Sequence, residues 1–207
     1  MSAKQWYLLL IDKYVLEEEV EENGIEVRQR KRCKAELGSP GLDWPRMWDL
    51  SRIRGISNDA RTFWFRALNN LHTTGSRLHR ITRNTPTDLC VLCDQQAVDD
   101  LWEHAFSNCG QSSRAIAWIL SIVSQMDPII TPFHMITLQV SPTNPDCLLP
   151  CVWIISEGLT YIWAKRKTKE QINMDDFVAN IKAKCYILSK SKFGNHGTNL
   201  MTMIDMV

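Results

Sequence analysis

Residues 90–109 read CVLCDQQAVDDLWEHAFSNC, and no other stretch restricts the folding of this chain so sharply. Two residues separate Cys90 from Cys93, and four separate His104 from Cys109. A two-residue gap lets one tight turn aim both sulfurs at a single point. A four-residue gap returns a histidine and a cysteine to one point at the end of a helix. Thiolate and imidazole donors at that spacing favour zinc, whereas magnesium and calcium want oxygen. The pattern therefore predicts one structural Zn2+ held by Cys90, Cys93, His104 and Cys109, fully ligated and with no position open to a reacting water. Asp99, Asp100 and Trp102–Phe106 are expected to form the helix carrying the histidine, the acidic pair near its positive N-terminal end. The alternative is that the cysteines are small buried hydrophobes and His104 a hydrogen-bonded core residue. The ten residues between Cys93 and His104 are more than a retroviral-type knuckle has, and do not match a two-histidine finger. Whether the two pairs meet is thus a question for the fold.

Little else in the chain is chemically pointed. Asp99-Asp100 and Asp175-Asp176 are paired carboxylates of the kind that hold two metal ions in polymerases. That chemistry needs a strand-turn-strand and a third carboxylate, which the pattern does not provide, and the second pair suits a helix cap. There is no glycine-rich phosphate loop, nucleophile elbow or HExxH motif. No catalytic residue is expected, and the chain is not expected to be an enzyme by itself. Cys147, Cys151 and Cys185 read as core cysteines and Cys33 as exposed or partly covered.

Hydrophobic residues make up 44% of the 207 and charged residues 23%, enough for a packed core. The net charge of +1 argues for no particular partner. The apolar WYLLLI near the N-terminus stops at Asp12 and Lys13, too short for a secretory signal. The run Cys147–Ile155, with Pro150 inside it and Glu157 after it, is expected not to span a bilayer. An intracellular location, nucleus or cytoplasm, is expected, without secretion or a membrane partner, and the seven cysteines then belong to a reducing compartment.

The periodicity is helical nearly throughout. A helix is expected over 3–22, ended by Asn23-Gly24, then a Gly- and Pro-containing connector over 35–57 with one short turn at Trp44–Leu50. Ser57 can cap a helix with Phe63, Ala67, Leu68 and Leu71 on one face. A short helix, SRLHRI, follows the TTGS break. Ser112 or Ser113 can cap the next, with Ala115, Trp118, Ile119, Ile122 and Val123 inward. Thr131-Pro132 opens another, a buried helix runs from about Leu148 to Arg166, and a last long one begins near Asp175 with Phe177, Ile181, Cys185 and Leu188 inward. The expected fold is all-α, a multi-helix domain with a small structural zinc knuckle. Its segments are 1–45 (N-terminal helix and linker), 46–110 (basic helical segment with the metal motif) and 111–207 (helical region packed on it).

Charge is unevenly spread. Glu17, Glu18, Glu19, Glu21 and Glu22 face a basic block around Arg28–Lys34, and from Arg52 to Arg83 seven arginines meet only Asp59. Guanidinium groups on one helix face can bind phosphates and stack on bases; a solvated face with ordinary ion pairs is the alternative. RTFWFRALNNLHTTGSRLHRI, then CVLC, then EHAFSNC resembles the zinc-binding region that follows the reverse transcriptase domain in non-LTR (LINE-type) retrotransposon proteins. The matching positions are Phe63–Leu71, Thr74–Leu78, Cys90, Cys93, Glu103, His104, Phe106 and Cys109. The likeness covers about residues 50–110, and the order of later helices, including IWAKRK and ILSKSKF, is similar to the tail of such proteins. Thr73 stands where the family usually has proline.

The resemblance implies a non-catalytic, zinc-dependent nucleic-acid-binding module, with RNA or DNA as partner, a reverse transcriptase domain as a further one, and no small-molecule substrate. Arg52, Arg54, Arg61, Arg66, Arg77 and Arg80 are the expected phosphate contacts, followed by Lys165, Arg166 and Lys167 at a helix end. A chain of this kind beginning at Met1 is expected to be a truncated or remnant element. The competing expectation is a zinc-folded protein-interaction domain that binds through exposed Trp44, Trp48 or Trp64.

Overall fold

The computed structural model describes residues 43–68, 72, 89–94 and 104–206. The helix expected at 3–22, the acidic and basic blocks, Cys33 and SRLHRI lie outside the described residues. Within these the elements are helical, without a strand, and the unit containing them begins at Leu42.

Local capping explains where the first helices start. The Asp43 carboxylate accepts from the Arg46 amide at 3.0 Å, and Pro45 occupies the first turn of α1 (Trp44–Leu50). Arg46 also donates to the Val140 carbonyl at 2.8 Å, tying this turn to a segment far along the chain. The Ser57 hydroxyl accepts from the Ala60 amide at 3.1 Å and opens α2 (Asn58–Leu68), as its position before the apolar stripe predicts. Ala60, Phe63, Trp64, Ala67 and Leu68 are buried along one face of α2; Leu71 is outside the described residues. Trp64, expected among the exposed aromatics, is fully buried. Its indole N–H finds the Ser156 hydroxyl at 2.8 Å, which removes the desolvation cost of burying the ring.

After a π-helical turn at His104–Asn108 comes α3 (Gly110–Val123). Neither serine caps it: the helix begins at Gly110 behind Cys109, and the Ser112 hydroxyl instead donates to the Ala105 carbonyl at 2.6 Å. The Thr131 hydroxyl accepts from the His134 amide, with Pro132 at the first position of the short α4 (Pro132–Ile136), as expected. A 3₁₀ turn, Pro145–Cys147, leads into α5 (Leu148–Thr168).

α5 organises the core because it is apolar nearly all round. Residues 150–159 are buried without interruption, as expected for a helix enclosed on every side. Its one buried acid, Glu157, is satisfied twice, by Lys184 Nζ at 2.7 Å and the Ser57 amide at 2.9 Å. With the 3₁₀ turn included, Pro145–Thr168 is long and apolar enough to cross a membrane by length and composition. Pro150 does not interrupt it, because the first turn of a helix needs no proline N–H. Most of its apolar stretch is nonetheless covered by protein.

Asn173 caps α6 (Met174–Ser189), accepting from the amides of both Asp175 and Asp176. The two aspartates therefore lie in the first turn, where they suit the helix dipole, and are not themselves the cap. Phe177, Ile181, Cys185 and Leu188 face inward as the spacing predicts. α6 is not the last helix: α7 (Gly194–Asp205) packs back on it through Leu200 and Ile204. Gly197 permits that approach, since a Cβ there would lie 2.7 Å from Ser189 Cα and 2.9 Å from the Cys185 carbonyl oxygen. One core joins side chains of α1, α2, α3, α5, α6 and α7, so segments 46–110 and 111–207 share it.

Candidate metal centre

The first cysteine pair sits on a turn closed by the backbone. The Asp94 amide donates to the Cys90 carbonyl at 3.0 Å, with Asp94 in the left-handed region at φ 54°, a conformation aspartate tolerates better than most residues. The Leu92 amide points at Cys90 Sγ, 3.5 Å away. Leu92 is itself buried and packs with Cys90 and Cys109, and Cys93 and Ile172 flank them.

The second pair is set by a π turn where an ordinary helix was expected. The Cys109 amide donates to the His104 carbonyl at 2.7 Å, the i to i+5 closure that defines this turn. Histidine and cysteine are thus the two ends of a single hydrogen-bonded ring. The main core holds the turn in shape. Ala105 and Phe106 between them are fully buried, and Phe106 packs edge-on to Phe63 of α2 with centroids 5.8 Å apart.

The two pairs meet. One ligand atom from each of Cys90, Cys93, His104 and Cys109 lies within 4.8 Å of all the others, and together they could hold a metal ion. Cys90 Sγ is 3.8 Å from Cys109 Sγ, and Cys93 Sγ is 3.3 Å from His104 Nε2. Cys90, His104 and Cys109 are buried and Cys93 is half-buried. Asp99, Asp100 and Trp102 of the intervening stretch lie outside the described residues.

A group remote in sequence completes the surroundings. Arg166, in the last turn of α5, reaches Cys90 Sγ with Nη1 at 3.2 Å. The Cys90 thiol is pulled well below its ordinary range by its hydrogen bond with the Cys109 thiol, against the effect of burial, with the Leu92 amide and the Arg166 guanidinium adding to the pull. Cys109, the other member of that pair and itself buried, is pushed up. The Leu92 amide, the Arg166 guanidinium and the Cys109 thiol converge on Cys90 Sγ, an arrangement that favours the thiolate form.

The basic residues divide. Arg52 and Arg54 are exposed on the loop after α1, and Arg61 and Arg66 on α2; among the described residues none makes an ion pair. Arg52 lies over the Trp48 ring at 5.2 Å, and Trp48 meets the half-exposed Phe65 edge-on at 6.4 Å. Arg77 and Arg80 lie outside the described residues, as does the side chain of Trp44. Lys167 is exposed, and Lys165 is paired with Glu170 at 2.6 Å. Arg166 is a correction: at 5% exposure, with its guanidinium on a sulfur, it cannot reach a phosphate. Its role at the cluster had no signal in the sequence, where it stands 76 positions from Cys90 amid an ordinary basic helix end.

In comparisons with family models, curated proteins and solved structures, no match to the chain was found.

Proposed function

We propose that the chain is a non-catalytic, zinc-stabilised nucleic-acid-binding module of the type that follows the reverse transcriptase domain in non-LTR retrotransposon proteins. The observation carrying this reading is the convergence of three sulfurs and one imidazole nitrogen within 4.8 Å. Zinc bonded at its usual lengths to sulfur and nitrogen keeps sulfurs about 3.8 Å apart, and sulfur and nitrogen about 3.6 Å apart, in a tetrahedron. The separations of 3.8 Å and 3.3 Å in the cluster fit that ion, and the donor set disfavours calcium and magnesium. Bound there, zinc supplies a cross-link worth about 10–16 kcal/mol in small zinc-folded peptides. Four protein ligands leave no site for an attacking water, so the role is structural.

The nucleic-acid part of the reading is supported by the face of α1 and α2. Arg52 lies over Trp48 of the Trp48–Phe65 pair, and Arg54, Arg61 and Arg66 are exposed nearby in sequence; guanidinium groups with accessible rings are the chemistry of phosphate contact and base stacking. The resemblance of the Phe63–Leu71 and Cys/His segments points the same way.

Metal analysis and a filter-binding assay test the two parts separately. One zinc per chain is expected, lost in both Cys90→Ser and His104→Ala. A well-folded, metal-free wild-type protein overturns the zinc. Binding to single-stranded RNA or DNA is expected to weaken by orders of magnitude between 50 and 200 mM salt, as several phosphate contacts require. Charge reversal at Arg61 and Arg66 is expected to lower it further. Binding indifferent to salt and to those reversals overturns the nucleic-acid role, and a specific protein partner in its place establishes the interaction-domain reading.

A further inference from the structure

We infer that Arg166 is the buried counter-charge of the metal centre and the tie that fixes it to the helical core, an inference resting on the zinc reading above. The argument begins with charge. Three thiolates, one neutral imidazole and a divalent ion leave the centre with one net negative charge. Cys90 and Cys109 are about 1% exposed or less and His104 is 8% exposed, so that charge sits largely out of water, where an uncompensated ion is costly. Arg166 carries a permanent positive charge, is itself buried, and among the described residues makes no ion pair with a carboxylate. Its Nη1 lies 3.2 Å from Cys90 Sγ. Each group supplies what the other lacks, and together they bring the loaded centre to neutrality.

Position strengthens the case. The neighbours Lys165 and Lys167 serve the helix end in the ordinary way, partly or wholly in solvent. Arg166 alone turns inward, one turn beyond the fully buried Ile162. Among the described residues, the apolar neighbours of the cysteine turn besides the cysteines themselves are Leu92 and the flanking Ile172. A guanidinium anchored on the core helix therefore fixes where the turn sits, much as outer hydrogen bonds orient metal ligands in other proteins. Arg166 is a positioning residue and not a ligand.

The test compares Arg166→Met, which keeps length and loses charge, with Arg166→Lys, which keeps charge and loses the fork. Zinc affinity is measured by competition with a chelating dye, and the cobalt-substituted proteins are compared by their sulfur-to-metal charge-transfer band. Alkylation of zinc-loaded Cys90 is followed by mass spectrometry. R166M is expected to bind zinc about 10–100-fold more weakly, with a shifted cobalt band and faster alkylation of Cys90. R166K is expected to recover most of the affinity. A folded R166M with wild-type affinity, cobalt band and alkylation rate overturns the inference, as does an R166K as weak as R166M. Should R166M fail to fold, R166K decides alone: near-wild-type affinity supports the counter-charge, and a large loss overturns it. A wild-type chain that takes up no zinc overturns the functional reading first and this inference with it.

Discussion

Buried cysteines occur in two settings in this molecule, and the contrast separates a ligand from a hydrophobe. Cys151 and Cys185 lie in the helical core on α5 and α6, fully buried among apolar side chains. Burial there pushes both thiols up to about 12, with neighbouring Cys147 and Asp127 adding to it for Cys151 and Glu157 for Cys185. Cys90 is no more exposed, yet its thiol is pulled down, because a second thiol, an amide and a guanidinium point at the sulfur. Burial is common to both settings; among the described residues, donors converge on a cysteine sulfur in the second. A cysteine buried without them stays a protonated hydrophobe, whereas Cys90, with them, is prepared for a cation; Cys109 beside it is pushed up as the core thiols are, and would release its proton on binding metal.

The same contrast predicts how the two regions respond to perturbation. Removing metal by chelation should have the largest effect, because among the described residues the cysteine turn packs on few apolar side chains and a site of this type contributes about 10–16 kcal/mol. Hydrogen exchange should show the amides of Leu92, Asp94 and Cys109 losing protection while those of α5 and α6 keep theirs. Simultaneous loss everywhere would break the comparison and make the two regions one cooperative unit. Gly197→Ala should do the reverse. The added methyl meets the backbone of Ser189 and Cys185, so urea unfolding should show a loss of about 1–3 kcal/mol with zinc affinity unchanged. An affinity that fell in step would mean that α7 supports the centre.

The smallest effect at neutral pH concerns the core thiols. Folding raises Cys151 and Cys185 from 9.0 to about 12, so the folded state keeps protons that the unfolded chain releases first. The stability this contributes is complete below about pH 9 and is lost as pH rises towards 12. Urea midpoints should fall over that window in the wild type, and less in Cys151→Ala/Cys185→Ala. Equal slopes would show that the core thiols are not held protonated, and would sharpen the contrast into one of donors alone.

Where a feature depends on neighbours in sequence, it was legible. Ser57 and Thr131 cap the helices they precede, the inward stripe of α6 follows its spacing, and α5 announces itself by a long apolar run. The Cys-x2-Cys turn belongs here too, since two residues of separation alone bring its sulfurs close. Features decided by contact between distant segments were not legible. α7 carries Gly194, Gly197 and several Thr and Asn residues, poor helix formers, and its packing on α6 offsets that weakness. Trp64 looked like a surface aromatic because nothing near it in sequence reveals the Ser156 hydroxyl that accepts its N–H.

The cluster itself shows where the boundary falls. Residue types and spacings determined that Cys90, Cys93, His104 and Cys109 could ligate a soft cation, and that the chain around them would be helical. Tertiary structure decided that the two pairs meet across a ten-residue gap, that the second pair closes a π turn and not an α-helical one, and that Arg166 stands beside the sulfur. The reason is physical: spacing controls which side chains one turn can gather, but burial of Phe106 against Phe63 and the course of α5 control where the turns are placed. Those placements depend on contacts that no local pattern encodes.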